Sequence, residues 1–220
     1  MTSGPVPARS GRPAVAVVAT TGEVLAHPDL HEGLLAPWER RRLARIRVPS
    51  RREDVVAARL LLRLCAGRFT GRPPHESAPS QFCAECGLHG HGRPYLPDHP
   101  GVGVSLSHAD GLVAAAVGPG AVGVDVEPSS RRPGPLSVLS RLLPAAEVRE
   151  ATGRPDPGAA LLRLWVRREA VLKAGQDGLR LLEWTDRRRA AVVTVASAAP
   201  AVTFSAGGQV QKDPAGRPGF

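Results

Sequence analysis

Lysine is almost missing from this chain: of 29 basic residues, 27 are arginine and only Lys173 and Lys212 are lysine. Cysteine is equally sparse, and three, an odd number, do not make a disulfide framework. No apolar run approaches the ~18 residues of a membrane span, and Met1 to Pro13 lacks the apolar stretch of a secretion signal. These absences lead to the expectation of a cytoplasmic protein with no membrane partner. The 220 residues are 42% hydrophobic, enough for one large or two small domains with real cores, which excludes a disordered or fibrous chain.

The net charge of +9 is unevenly placed. Between Arg40 and Arg68 ten arginines face two acids, Glu53 and Asp54. GC-rich codons explain an excess of Arg, Ala, Gly, Pro and Val, but not where the charges fall. A local patch implies an anionic partner such as a phosphate, a nucleic acid or an acidic protein, or else a solvated helix face rich in arginine. One function class to weigh is therefore a nucleic-acid-binding module using Arg40 to Arg68. That segment has little aromatic interleaving and no recognition motif, so no nucleic-acid partner is expected.

Along the chain, Ala14 to Val18 reads as a strand, and Ala36 to Arg47 and Glu53 to Phe69 as helices. A Pro/Gly/Ser/His-rich connection from Gly71 to Gly103 follows. Val102 to Leu106, Leu112 to Val117 and Ala121 to Val126 are strand candidates so closely spaced that an antiparallel meander is expected. Ala159 to Ala174 reads as a helix stopped by Gly175, and Val192 to Val195 with Ala201 to Phe204 as a final hairpin. This order predicts an α+β fold whose halves, 1–118 and 119–220, join near Gly118-Pro119-Gly120.

Two segments carry candidate chemistry. In Gly123-Val124-Asp125-Val126-Glu127, strand alternation puts both acids on one face and both valines on the other. Paired carboxylates repel unless a cation lies between them, and carboxylate oxygen is the ligand Mg²⁺ prefers; an acidic exposed strand face is the plainer alternative. In the helix around Trp165-Val166-Arg167-Arg168-Glu169-Ala170-Val171-Leu172-Lys173, Trp165, Glu169 and Lys173 fall at i, i+4 and i+8 on one stripe. Alone, this is most simply a core tryptophan beside a surface Glu-Lys pair.

Together the two segments resemble the paired signature of the 4'-phosphopantetheinyl transferases, Gly-x-Asp-x-Glu followed by Trp-x-x-Lys-Glu-Ala/Ser-x-x-Lys. Upstream, Gly92-Arg93-Pro94-Tyr95-Leu96 is similar to the family's Gly-Lys-Pro-Tyr-Leu, and Ser105-Leu106-Ser107-His108 to its Asn-x-Ser-His. Arg40 to Arg63 resembles, more loosely, the arginine-containing N-terminal region of the longer, surfactin-synthetase-type members. The resemblance implies two similar α/β halves forming a pseudo-dimer within one chain, hence a monomer with its site between the halves. It also implies a Mg²⁺-dependent transfer of 4'-phosphopantetheine from coenzyme A to a serine of an acyl- or peptidyl-carrier protein. On that basis Asp125, Glu127 and Glu169 hold the metal, Glu169 and Lys173 are catalytic, and Arg42, Arg93, Ser107 and His108 contact coenzyme A. The chain departs from the pattern at Arg168, Val171 and Pro128, none of which is an implied metal ligand.

Cys83-Ala84-Glu85-Cys86-Gly87-Leu88-His89-Gly90-His91 places two cysteines and two histidines within nine residues. They could furnish a zinc set, but the spacing is short and four ligands from one such peptide strain a tetrahedron, so a metal-free loop is expected.

Overall fold

The computed structural model describes residues 11–207. Lys212 lies outside them. Two sheets lie face to face, each backed by a long helix. The first has six strands: β1 (Ala14–Thr20), β2 (Ser80–Phe82), β3 (Arg93–Tyr95), β4 (Val102–Ala109), β5 (Leu112–Pro119) and β9 (Ala201–Thr203), in the order β2-β3-β4-β5-β1-β9. The second, ordered β6-β8-β7, comprises β6 (Val122–Pro128), β7 (Arg180–Asp186) and β8 (Ala191–Ser197). The mixed α+β character expected from the order of elements is present.

Alternation along β1 explains the layering. Val17 and Ala19 point into a core with Val56, Leu60, Leu61 and Ala66 of α3 (Pro49–Thr70), while Ala16 and Val18 point the other way, onto Val124 and Val126 of β6 and Val193 and Val195 of β8. The outer face of the second sheet is covered in turn by α6 (Pro157–Ala174), through Leu162, Val166, Ala170 and Ala174. Strands buried on both faces have little polar side to show, so β5 reads as an apolar run and β8 as one interrupted by Thr194 and ended by Ser197. The order of layers is helix, sheet, sheet, helix.

Both long helices begin with proline at their first turn and end on a left-handed glycine, Gly71 (φ +80°) for α3 and Gly175 (φ +69°) for α6. The shorter helices are α1 (Thr21–Leu25), α2 (Pro37–Leu43), α4 (Leu136–Leu142) and α5 (Ala145–Thr152). Among the described residues no helix is long and apolar enough to cross a membrane.

Two pairings differ from expectation. The meander stops after one hairpin: β4 and β5 pair antiparallel across Asp110 and Gly111, both at positive φ, but β6 leaves that sheet and pairs with β8. Gly120, at φ +71°, makes the turn through which the chain changes sheet. The final hairpin does not form either. β9 pairs in parallel with β1 (Val15 opposite Val202), so β8 and β9 belong to different sheets. The outer edge of β1 gains a partner this way, starting at the bond from Ala14 N–H to the Pro200 carbonyl (2.8 Å).

The basic segment is divided by the fold. Arg59 and Arg63 project from α3 into the protein and pair with Glu39 of α2, which is 0% exposed. Arg52 pairs at the surface with Glu32. Arg41, Arg42, Arg45, Arg47, Arg51 and Arg68 are exposed. A window opened at Arg40 counts the cations and omits the acid, Glu39, that the two buried ones require.

Candidate active site

The catalytic candidates meet where β4, β6 and α6 come together. Asp125 on β6 is 4% exposed. Its Oδ1 accepts hydrogen bonds from Ser107 Oγ of β4 (2.7 Å) and Lys173 Nζ of α6 (2.6 Å), and the ammonium also donates to Ser107 Oγ (2.8 Å). A three-membered ring of contacts thus ties residues 107, 125 and 173 together across both sheets and a helix. The other oxygen of Asp125, Oδ2, is buried without a hydrogen-bond partner. A native protein rarely leaves a charged oxygen bare inside, since its desolvation is costly.

Glu127, two residues along the same face, is also buried, and its Oε2 is held by Arg131 at 2.7 Å. Burial pushes its carboxyl above the ordinary range, Arg131 pulls it back, and Asp125 adds repulsion. Glu169, half-buried on α6, is raised chiefly by desolvation and then by Asp125, against the pull of Lys173 and Arg168. Asp125 thus raises the proton affinity of both Glu127 and Glu169, which marks a site short of positive charge, and Lys173 and Arg131 offset only part of the deficit.

Glycine 123 explains how the strand and helix come so close. A Cβ built there would lie 1.9 Å from the Ala170 carbonyl oxygen and 2.5 Å from the Ala174 nitrogen, both helix backbone. With hydrogen in that place, β6 lies directly on α6 and the ammonium reaches Asp125. Gly123→Ala is expected to push α6 outward by about 1 Å, costing about 1–3 kcal/mol of stability and about a hundredfold in any reaction the site performs. Urea denaturation and turnover of the purified variant check the two numbers. A second positioning residue, Ser105, accepts a hydrogen bond from Val124 N–H (3.0 Å) and pins β6 to β4. Neither role is readable from the motif alone, because each depends on a partner far away in the chain.

The remaining candidates are spread around this centre. His108, exposed next to Ser107, has its imidazolium disfavoured first by desolvation, then helped by Asp54 and opposed by Lys173, Arg51 and Arg59. Arg93 caps the end of α6, donating from Nη1 to the Ala174 carbonyl at 3.1 Å, one residue beyond Lys173. Arg42 is not part of the cluster. It donates to the Gly90 carbonyl (3.1 Å) and lines an open cleft of about 650 Å³ with Trp38, Arg41, Arg45, His89 and His91, which includes none of the carboxylates. Another cleft, of about 570 Å³, runs past Arg187, Arg188 and Arg189, and Arg189 pairs there with Glu23.

Residues 121–214 match the family model of the 4'-phosphopantetheinyl transferase superfamily. This stretch, less than half of the chain, is similar to a 4'-phosphopantetheinyl transferase superfamily domain. Asp125, Glu127, Glu169 and Lys173 all fall inside the matched stretch; Arg42, Arg93, Ser107 and His108 precede it. A curated 4'-phosphopantetheinyl transferase of Bacillus subtilis is similar to the chain, 27% identical over 124 residues, or 56% of this chain. The match spans 51%, about half, of that relative's length.

Proposed function

We propose that the protein transfers 4'-phosphopantetheine from coenzyme A to a serine hydroxyl of an acyl- or peptidyl-carrier protein, with Mg²⁺, releasing adenosine 3',5'-bisphosphate. The observation that carries this reading is the buried, unpartnered Oδ2 of Asp125, facing a site whose other oxygen is already engaged by an amine.

The donor set fits a hard divalent cation: Asp125, Glu127 and Glu169 offer carboxylate oxygen and no sulfur or imidazole, and the bare oxygen needs a charged partner. Held by these residues, Mg²⁺ would supply positive charge that offsets the negative charge of the phosphoryl oxygens and of the leaving bisphosphate. Glu169, its proton affinity raised by burial, is suited to take the proton of the incoming serine hydroxyl. Lys173, 31% exposed and anchored by Asp125 and Ser107, presents an ammonium that can neutralise or protonate the departing phosphate. Arg93, Ser107 and His108 flank this point and suit the coenzyme A phosphates; Arg42, in its own basic cleft, suits the 3'-phosphate.

Each sheet with its covering helix, α3 or α6, forms one half of a pseudo-dimer, divided at 118/119, with β9 handed across to the first sheet. Such a chain completes its site as a monomer in the cytoplasm. The test is incubation of the purified chain with coenzyme A, Mg²⁺ and a panel of apo-carriers from fatty-acid, polyketide and nonribosomal-peptide systems. At least one carrier is expected to gain a phosphopantetheinyl arm by mass spectrometry, and a chelator abolishes the gain. Absence of product from every carrier overturns the proposal. Lys173→Arg keeps the charge but replaces a compact amine with a wide fork, and is expected to lower turnover about a hundredfold. Unchanged turnover would reduce Lys173 to a point charge.

A further inference from the structure

The loop from Cys83 to Gly92, between β2 and β3, is not used by the transfer reaction. The sequence offers two cysteines and two histidines there, and the fold selects three. Cys83 Sγ, Cys86 Sγ and one ring nitrogen of His91 all lie within 4.8 Å of one another, and Cys86 Sγ is 3.1 Å from His91 Nε2. His89 is turned away, stacked at a tilt on Phe82 with ring centroids 5.1 Å apart.

The backbone builds this cluster. The chain turns tightly after Cys83, with Gly87 N–H donating to the Cys83 carbonyl (2.9 Å) and Cys83 N–H to the Leu88 carbonyl (3.0 Å). Gly87, at φ +70°, and Gly90, at φ +93°, then reverse it so that His91 returns to the sulfurs. Gly90 N–H is anchored on the Gln81 carbonyl (3.0 Å), fixing the return to β2. Four-ligand strain does not arise, because only three ligands come from the peptide.

We infer that Cys83, Cys86 and His91 form a zinc site, with the fourth corner left to water or another exogenous ligand. Zinc–sulfur bonds of about 2.3 Å and zinc–nitrogen bonds of about 2.0–2.1 Å place tetrahedral ligands about 3.5–3.8 Å apart. The Cys86–His91 separation of 3.1 Å and the 4.8 Å limit on the others each lie within about 1 Å of that spacing, so an ion enters with shifts of about 1 Å or less. Two thiolates and an imidazole select zinc over Mg²⁺, which takes oxygen. Binding releases the two thiol protons and leaves each sulfur an anionic ligand. Cys65, the third cysteine, is buried between α3 and the first sheet and takes no part. The ion would stiffen the loop that offers the Gly90 carbonyl to Arg42 and runs into Arg93.

The test is metal analysis of the full chain, purified under reducing conditions without chelator and then equilibrated with zinc. One tightly held zinc per chain is expected. Cobalt substitution should give thiolate-to-metal charge-transfer bands and the visible spectrum of a tetrahedral ion, a readout that needs no variant. The double variant Cys83→Ser/Cys86→Ser is expected to hold no zinc while keeping its circular dichroism; His91→Ala should lose zinc to a weak chelator that leaves the parent loaded; His89→Ala should retain it. A chain that takes up no stoichiometric zinc overturns the inference, as does zinc that survives loss of both cysteines, or a Cys83–Cys86 disulfide persisting in reducing buffer. Metal content is read apart from transfer, so a protein inactive toward carriers but loaded with zinc would refute the proposed reaction and leave this site standing.

Discussion

Asp125→Asn is expected to lower transfer about a thousandfold while the protein stays folded. The substitution keeps the side-chain shape and the acceptor for Ser107 and Lys173, and removes only the charge. Two consequences follow from that single change. The oxygen that has no partner becomes an amide group, a poor ligand for a divalent cation, so the site loses its most buried anion. Lys173 then has no anion to hold it beside Ser107 and is free to move toward Glu169. A thousandfold corresponds to about 4 kcal/mol of barrier, within the range of removing one preorganised charged group. The measurement is carrier labelling at saturating Mg²⁺, with thermal unfolding as the control for folding. Turnover within tenfold of the parent would remove Asp125 from the proposed metal site.

Glu39→Ala is expected to be the most destabilising single change. Arg59 and Arg63 are buried, each with a free Nε, and the negative charge they share is Glu39; Arg59 also stacks over the Trp38 ring at 5.0 Å. Burial already pushes Arg59 below its ordinary pKa, with the bond to Glu39 resisting. Glu39 also accepts from Ala36 N–H (2.8 Å) at the start of α2. Truncation leaves two guanidinium groups facing each other without an anion, a loss of about 3–5 kcal/mol. For a chain of this size that is a fall in Tm of about 6–20 °C. Replacing all three by apolar residues of similar volume should be far milder, because the desolvation cost disappears together with the attraction. Urea melts of the two variants side by side separate the explanations: equal losses would mean that packing, and not charge, is at stake.

The outline of the fold was readable where local pattern determines it. β1, the β4–β5 hairpin, α3 and α6 carry periodicity and stop signals that need no partner. Pairing across the chain was not readable. Gly118-Pro119-Gly120 resembles the tip of a second hairpin, and nothing local says that β6 turns away to meet β8. β7 is hidden for another reason: as an edge strand it alternates exposed Leu181, Glu183 and Thr185 with half-buried Leu182, Trp184 and Asp186, and its charged residues make it look like a surface loop. At the site, the acids and Lys173 stood out by motif, whereas Gly123 and Ser105 act through contacts 47 and 19 residues away, to Ala170 and Val124. The arginine patch misled in the same way, since the acid neutralising its buried members sits one residue outside it.

The parallel seat of β9 on β1 has a bearing on how the molecule is made. β1 leaves the ribosome well before β9, and one of its edges waits for Ala201–Thr203, which follow nearly two hundred residues later. At the ~5–20 residues per second of translation, that edge stays open for about ten to forty seconds. An exposed strand edge of Ala and Val invites pairing with other nascent chains. Rapid production of this protein is therefore expected to leave more of it aggregated than slow production at low temperature, and deleting β9 should make that vulnerability permanent.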